Sequence, residues 1–243
     1  MKTSGNTVLI TGGTSGIGLG FAKEFLKRDN KVIICGRREK RLREIKQEFK
    51  EIETIVCDIA EADQRKNLKE KVTGEFPELN ILINNAGIQL LADLTDINLA
   101  KINKEVETNF IAPVHLASLF VSHLKSKNDS AIINISSGLA FVPLAPVAVY
   151  CAVKAAIHSI TMSLRYQLKN SNIKVFEIIP PSVDTELGQE RRKDKNQTHG
   201  GLPVEEFISE SMEAVENDKY EAPIDGAINF YEKRDAMFPE MNK

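Results

Sequence analysis

The chain has 243 residues, of which 42% are hydrophobic and 27% charged, enough to build one sizeable core, so a single domain over 1–243 is expected. With 32 basic and 34 acidic residues the net charge is −2, which provides no positive field to gather nucleic acid, and no nucleic-acid partner is expected. Cys35, Cys57 and Cys151, and His115, His123, His158 and His199, lack metal-ligand spacing, so reduced thiols and no metal are expected.

Residues 7–11, Thr-Val-Leu-Ile-Thr, form a short apolar, β-branched run that reads as a buried first strand. A strand so near the start leaves no room for a signal peptide, and the cytoplasm is the expected location. A glycine-rich turn follows at once, containing Gly12, Thr14, Ser15, Gly16, Ile17 and Gly18, ahead of the helical pattern Leu19, Ala22, Phe25, Leu26. Strand, glycine turn and helix together make a dinucleotide cradle. Gly12 permits the turn, Gly16 lets backbone N–H groups approach a pyrophosphate, and Gly18 lets helix and strand pack closely.

Further strands are predicted at 31–35, 54–57, 81–83, 131–135 and 174–179, separated by helices at 39–49, up to 72, at 98–124 and around 150–168. Apolar strands alternating with helices imply an α/β, Rossmann-type doubly wound parallel sheet with both faces covered, and active groups at the carboxyl ends of its strands. Residues 131–164 are strongly apolar, but Pro143, Pro146 and Lys154 interrupt them, so they read as strand, loop and helix and no membrane insertion is expected.

The second strand bears on the cofactor. Selection of NAD(H) usually places Asp or Glu there, about 20 residues past the glycine turn, to accept from the ribose 2′-hydroxyl. Here the strand ends Cys35-Gly36-Arg37-Arg38. With no carboxylate to repel a 2′-phosphate and arginine to bind one, NADP(H) is favoured, with NAD(H) as the alternative.

Tyr150 and Lys154 stand at helical i, i+4 spacing, which sets a phenol and an ammonium on one helix face. A free tyrosine ionises near pH ~10, and tuning it to ~7 takes roughly 4 kcal/mol of differential stabilisation. A lysine cation in a dry pocket supplies that kind of stabilisation.

The Thr11 to Gly18 turn, Asn84-Asn85-Ala86-Gly87, Asn109, Ser137 and the Tyr150/Lys154 pair occur in the order found in short-chain dehydrogenases/reductases, and the chain resembles that family over roughly its first 185 residues. The resemblance implies hydride transfer between a nicotinamide and a small-molecule carbonyl or secondary alcohol. Tyr150 would be the general acid/base, Lys154 would hold the nicotinamide ribose and lower the phenol pKa, Ser137 would orient the carbonyl, and Asn109 would bind a water in a proton relay. It also implies that Asp58 accepts from the adenine amino group beside Ile59, and that Asn85, Ala86 and Gly87 lie under the adenine-side ribose. Pro180, Val183 and Thr185 would lie at the nicotinamide end.

Two stretches depart from the family pattern. Similar proteins commonly carry Pro-Gly where this chain has Pro180-Pro181, and many end in a seventh strand and a glycine-rich tail. Here the corresponding region reads Tyr220-Glu221-Ala222-Pro223-Ile224-Asp225, an amphipathic helix pattern, with Phe238-Pro239-Glu240-Met241-Asn242 beyond. The Pro-Pro-Ser-Val-Asp-Thr run and the Met-Asn ending resemble the DltE-like subgroup. Residues 138–146, with Gln89 and Leu90, are expected to wall an apolar substrate pocket. A lid is expected at about 186–212, where Arg191, Arg192, Lys193 and Lys195 read as a solvated charge run. A homodimer is expected through the outer faces of the helices at 98–124 and 150–168. The rival expectation is a non-catalytic dinucleotide-binding redox sensor or scaffold.

Overall fold

Alternation within the first strand sets the layering. In β1 (Thr7–Thr11) Val8 and Ile10 point to one face of the sheet and Leu9 to the other, and all three are fully buried. A strand can be apolar on both sides only if helices cover both, and they do. The computed structural model describes residues 1–188 and 200–243.

Within these residues β1, β2 (Lys31–Gly36), β3 (Glu53–Val56), β4 (Leu79–Asn84), β5 (Ser130–Ile135), β6 (Ile173–Ile179) and β7 (Glu221–Pro223) form one sheet in the order β3-β2-β1-β4-β5-β6-β7. Every pairing is parallel. Helices α1 (Gly16–Lys27) and α2 (Glu39–Glu48) cover one face, where Phe21, Phe25, Leu42 and Ile45 join Val8 and Ile10 in a common core. On the other face α3 (Ala62–Glu75) contributes Leu68 and Val72 beside Leu9.

The helix predicted at 98–124 is interrupted. It comprises α4 (Leu99–Val106), a π-helical turn at Glu107–Ile111, and α5 (Ala112–Lys125). π-turns inside helices are rare and cluster at functional sites. This one contains Asn109. Next, α6 (Ala148–Gln167) carries Tyr150 and Lys154 on its buried face, together with Val153, Ile157 and Thr161. By length and composition alone the helical stretch Ala145–Gln167 could cross a membrane; in this fold its buried face packs inward.

One expectation at the end of the chain is corrected. Residues 221–223 do not join a helix: they are β7, which extends the sheet beyond β6, and the helical segment follows as α8 (Ala227–Lys233) after α7 (Val204–Glu216). Residues 204–212 of the expected lid belong to α7, whose Phe207 packs edge-on against Phe21 and is fully buried. The cluster Arg191, Arg192, Lys193 and Lys195, with His199, lies outside the described residues. A short α9 (Phe238–Met241) ends the chain's helices.

Candidate active site

The strand order reverses between β1 and β4, and the crevice at such a switch point is where open α/β sheets bind ligands. Here the two strands approach closely: a Cβ on Gly12, which has φ +67°, would fall 2.7 Å from the Ala86 backbone. Thr11 joins them further, its hydroxyl accepting from the N–H groups of Asn85 at 3.0 Å and Ala86 at 3.1 Å. Above this junction opens a cleft of about 1130 Å³.

The cleft gathers nearly every candidate from the sequence. Gly12, Thr14, Ser15, Gly16, Ile17, Gly18, Arg37, Arg38, Asp58, Ile59, Asn85, Ala86 and Gly87 line one end, and Ser137, Tyr150, Lys154, Pro180, Val183 and Thr185 line the rest. Asn109 is set behind the wall, against a small internal gap shared with Asn84, Asn134 and Lys154.

The glycine turn fits a pyrophosphate. Helix α1 begins with Ser15 making no side-chain cap and with no acidic residue in its first turn, so its N-terminal N–H groups are left for an outside anion. Gly18 has no room for a side chain, since a Cβ would sit 2.4 Å from both Asn85 Nδ2 and the Gly12 oxygen. Asp58 lines the cleft, with its carboxylate accepting from the Ala60 N–H at 3.0 Å.

At the other end Tyr150 and Lys154 are both buried, with the Lys154 ammonium 5.6 Å from the Tyr150 ring centre. Burial pulls Lys154 down to about 8, while Glu177 and Glu105 oppose that shift. Ser137 lies just past β5, its hydroxyl accepting from the Leu139 N–H at 3.1 Å. Asn109 engages both polar atoms of its side chain with one residue: Oδ1 accepts from the Ile88 N–H at 2.8 Å and Nδ2 donates to the Ile88 oxygen at 2.7 Å. Its side chain is therefore a clamp on the 88–90 segment. One turn earlier Glu105 adds a second clamp, accepting from the Leu90 N–H at 3.0 Å. Burial raises the Glu105 carboxyl above its ordinary value.

The Pro180-Pro181 segment keeps a defined register despite lacking the usual glycine. The Gly138 N–H donates to the Pro180 oxygen at 2.9 Å, and the Leu202 N–H to the Ser182 oxygen at 2.9 Å. The pocket wall is narrower than expected. Of residues 138–146 only Gly138, Leu139 and Leu144 line the cleft, because Phe141 and Val142 turn inward onto Ile179 and Ala227.

Several contributors were not found by sequence reasoning. Phe230 and Met241 reach the cleft from the far end of the chain, and Asn242 holds the facing loop by donating to the Pro143 oxygen at 2.9 Å and accepting from the Ala145 N–H at 2.6 Å. Glu186 also enters the cleft. These depend on contacts between distant segments, which no local motif announces. Glu105 alone left a trace, as an acid on an inward-facing helix position.

A parallel sheet with this order, a glycine cradle at its switch point and a Ser137, Tyr150, Lys154 set at one cleft define a dehydrogenase-type site. The pattern of the short chain dehydrogenase family matches residues 6–196, and the chain belongs to that family of oxidoreductases. It is DltE-like within it: it is 44% identical, over 100% of its own length and 98% of the relative's, to the uncharacterized oxidoreductase DltE of Bacillus subtilis (strain 168). Among solved structures it is similar to a short-chain dehydrogenase from Sphingobium yanoikuyae in complex with NADPH, at TM-score 0.84 and 24% identity, covering 93% of this chain and 91% of that one. A short chain dehydrogenase/reductase from Burkholderia phymatum in complex with NAD gives TM-score 0.83 at 20% identity, covering 91% and 89%.

Proposed function

We propose that the protein is an NADP(H)-dependent oxidoreductase interconverting a carbonyl compound and a secondary alcohol. The observation that carries this reading is the presence of Ser137, Tyr150 and Lys154 in the same cleft as the glycine turn. A bound nicotinamide supplies or accepts the hydride. Charge that develops on the substrate oxygen needs a donor and then a proton. In this reading the Ser137 hydroxyl orients that oxygen, Tyr150 delivers the proton, and the Lys154 cation stabilises the phenolate left behind while holding ribose hydroxyls.

The two similar structures carry NADPH and NAD respectively, so cofactor preference is argued from this chain's own residues. Arg37 and Arg38 line the adenosine end of the cleft, and β2 ends without a carboxylate. A doubly charged phosphate is favoured there. The substrate end, with Leu90, Leu139, Leu144, Phe230 and Met241, suits an apolar body on the carbonyl carbon.

Tyr150→Phe is the direct test. The ring still fills its space, so NADPH binding should stay within about twofold of the parent, while turnover should drop by at least ~10²-fold, as loss of a general acid does. Turnover retained in the variant would remove Tyr150 from the chemistry.

A further inference from the structure

Arg38 is already occupied by an anion from its own chain. Its Nη2 donates to Thr14 Oγ1 at 3.0 Å and to Ser15 Oγ at 2.7 Å, and its Nη1 donates to Glu186 Oε2 at 2.8 Å. The other Glu186 oxygen is 3.6 Å from Arg41 Nη2 in the first turn of α2. Glu186 thus bridges the β2–α2 corner to the glycine turn from a position 148 residues further along the chain. The preceding residue is held against the turn as well: Thr185 Cγ2 lies 3.0 Å from where a Cβ on Gly16 would stand.

Stability does not account for this arrangement. Arg38 and Glu186 are each more than 40% exposed, at 44% and 43%, and ion pairs so open to water contribute little to folding. What the arrangement does accomplish is to fill, with a carboxylate, the place where two guanidinium groups and a serine hydroxyl converge.

We propose that Glu186 is a cofactor-discriminating residue: its carboxylate sits in the anion seat formed by Arg38, Arg41 and Ser15, and a cofactor 2′-phosphate binds by displacing it. The inference rests on the NADP(H) reading above. A phosphate monoester carries about −1.5 to −2 charge and three acceptor oxygens, against one charge and two oxygens for the carboxylate, so the exchange favours the phosphate. The 2′-hydroxyl of NAD(H) has no charge with which to displace Glu186 and leaves the internal pair intact. Affinity for the phosphorylated cofactor is therefore lower than the arginines alone would provide, and the discrimination between the two cofactors is moderated by one side chain.

The test is to measure binding of NADPH, NADH and 2′,5′-ADP to the parent, Glu186→Gln and Arg38→Ala, by nicotinamide fluorescence and calorimetry at low salt. The glutamine can still accept from Arg38, which preserves the local geometry while removing the competing charge. Glu186→Gln should tighten NADPH and 2′,5′-ADP by roughly two- to fivefold, the range of an exposed ion pair, and leave NADH unchanged. Equal shifts for NADPH and NADH, or no shift in either, would overturn the proposal. If Arg38→Ala weakens NADPH alone while Glu186→Gln does nothing, only the displacement idea falls. If the parent binds NADPH no better than NADH and Arg38→Ala alters neither, the NADP(H) reading falls and takes the proposal with it.

Discussion

The Lys154 ammonium donates to the Ile135 carbonyl oxygen at 2.7 Å, tying the second turn of α6 to the last residue of β5. An ammonium has three protons, and this bond uses one of them to aim the group along the cleft wall. The sheet carbonyl thereby fixes where the cation stands relative to Tyr150, and buried Glu177 and Glu105 help keep it charged.

The electrostatics around Lys154 predict a pH effect. Its value of about 8 means that the cation is lost as pH rises through the mildly alkaline range, so the alkaline limb of kcat/KM for carbonyl reduction should report it. Glu177 raises that value, and Glu177→Gln should move the limb to lower pH, with about twofold less activity at pH ~8 than the parent and a smaller change near pH ~6.5. Glu177 also pairs with His158 at 2.8 Å, so the melting temperature should be followed in parallel. An unmoved limb would separate Glu177 from the ionisation of Lys154.

The parts of this molecule that are legible in its sequence are those whose physics is local. Val8, Leu9 and Ile10 announce a two-sided strand by composition, and Gly12, Gly16 and Gly18 announce a turn by the absence of side chains where none fits. The π-turn at Glu107–Ile111 has no such signature, since its extra residue accompanies a tertiary demand, the reach of Asn109 to Ile88. Strand β7 was missed because three residues ending in proline look nothing like a strand until the free edge of β6 is there to pair with them. Glu186 reads as an ordinary loop acid until folding brings it to Arg38.

The association state is a separate expectation. Ile111 in the π-turn and Met162 and Tyr166 on α6 are large apolar side chains left exposed, at 38%, 44% and 69%, on the helices proposed to pair two copies of the chain. Light scattering at micromolar concentration should give the mass of a dimer, and Met162→Glu, which would set a charge into that contact, should shift the population toward monomer. A parent that is monomeric throughout the range would rule the pairing out.

The Asn109 clamp makes the sharpest mutational case. Asn109→Ala removes both bonds to Ile88 and leaves a partly buried N–H and C=O unpaired, at a cost of about 1–3 kcal/mol in stability. Asn109→Asp keeps the acceptor for the Ile88 N–H but turns a carboxylate oxygen toward the Ile88 carbonyl, so it should be at least as damaging as alanine. Glu105 still holds Leu90 in both variants, which predicts a displaced 88–90 segment rather than an unfolded protein. Thermal melting combined with NADPH binding and steady-state kinetics checks this: both variants should melt lower and lose turnover more than they lose cofactor affinity. Parent-like melting and turnover in Asn109→Ala would show that Ile88 holds its place without the clamp, and that the π-turn needs a different explanation.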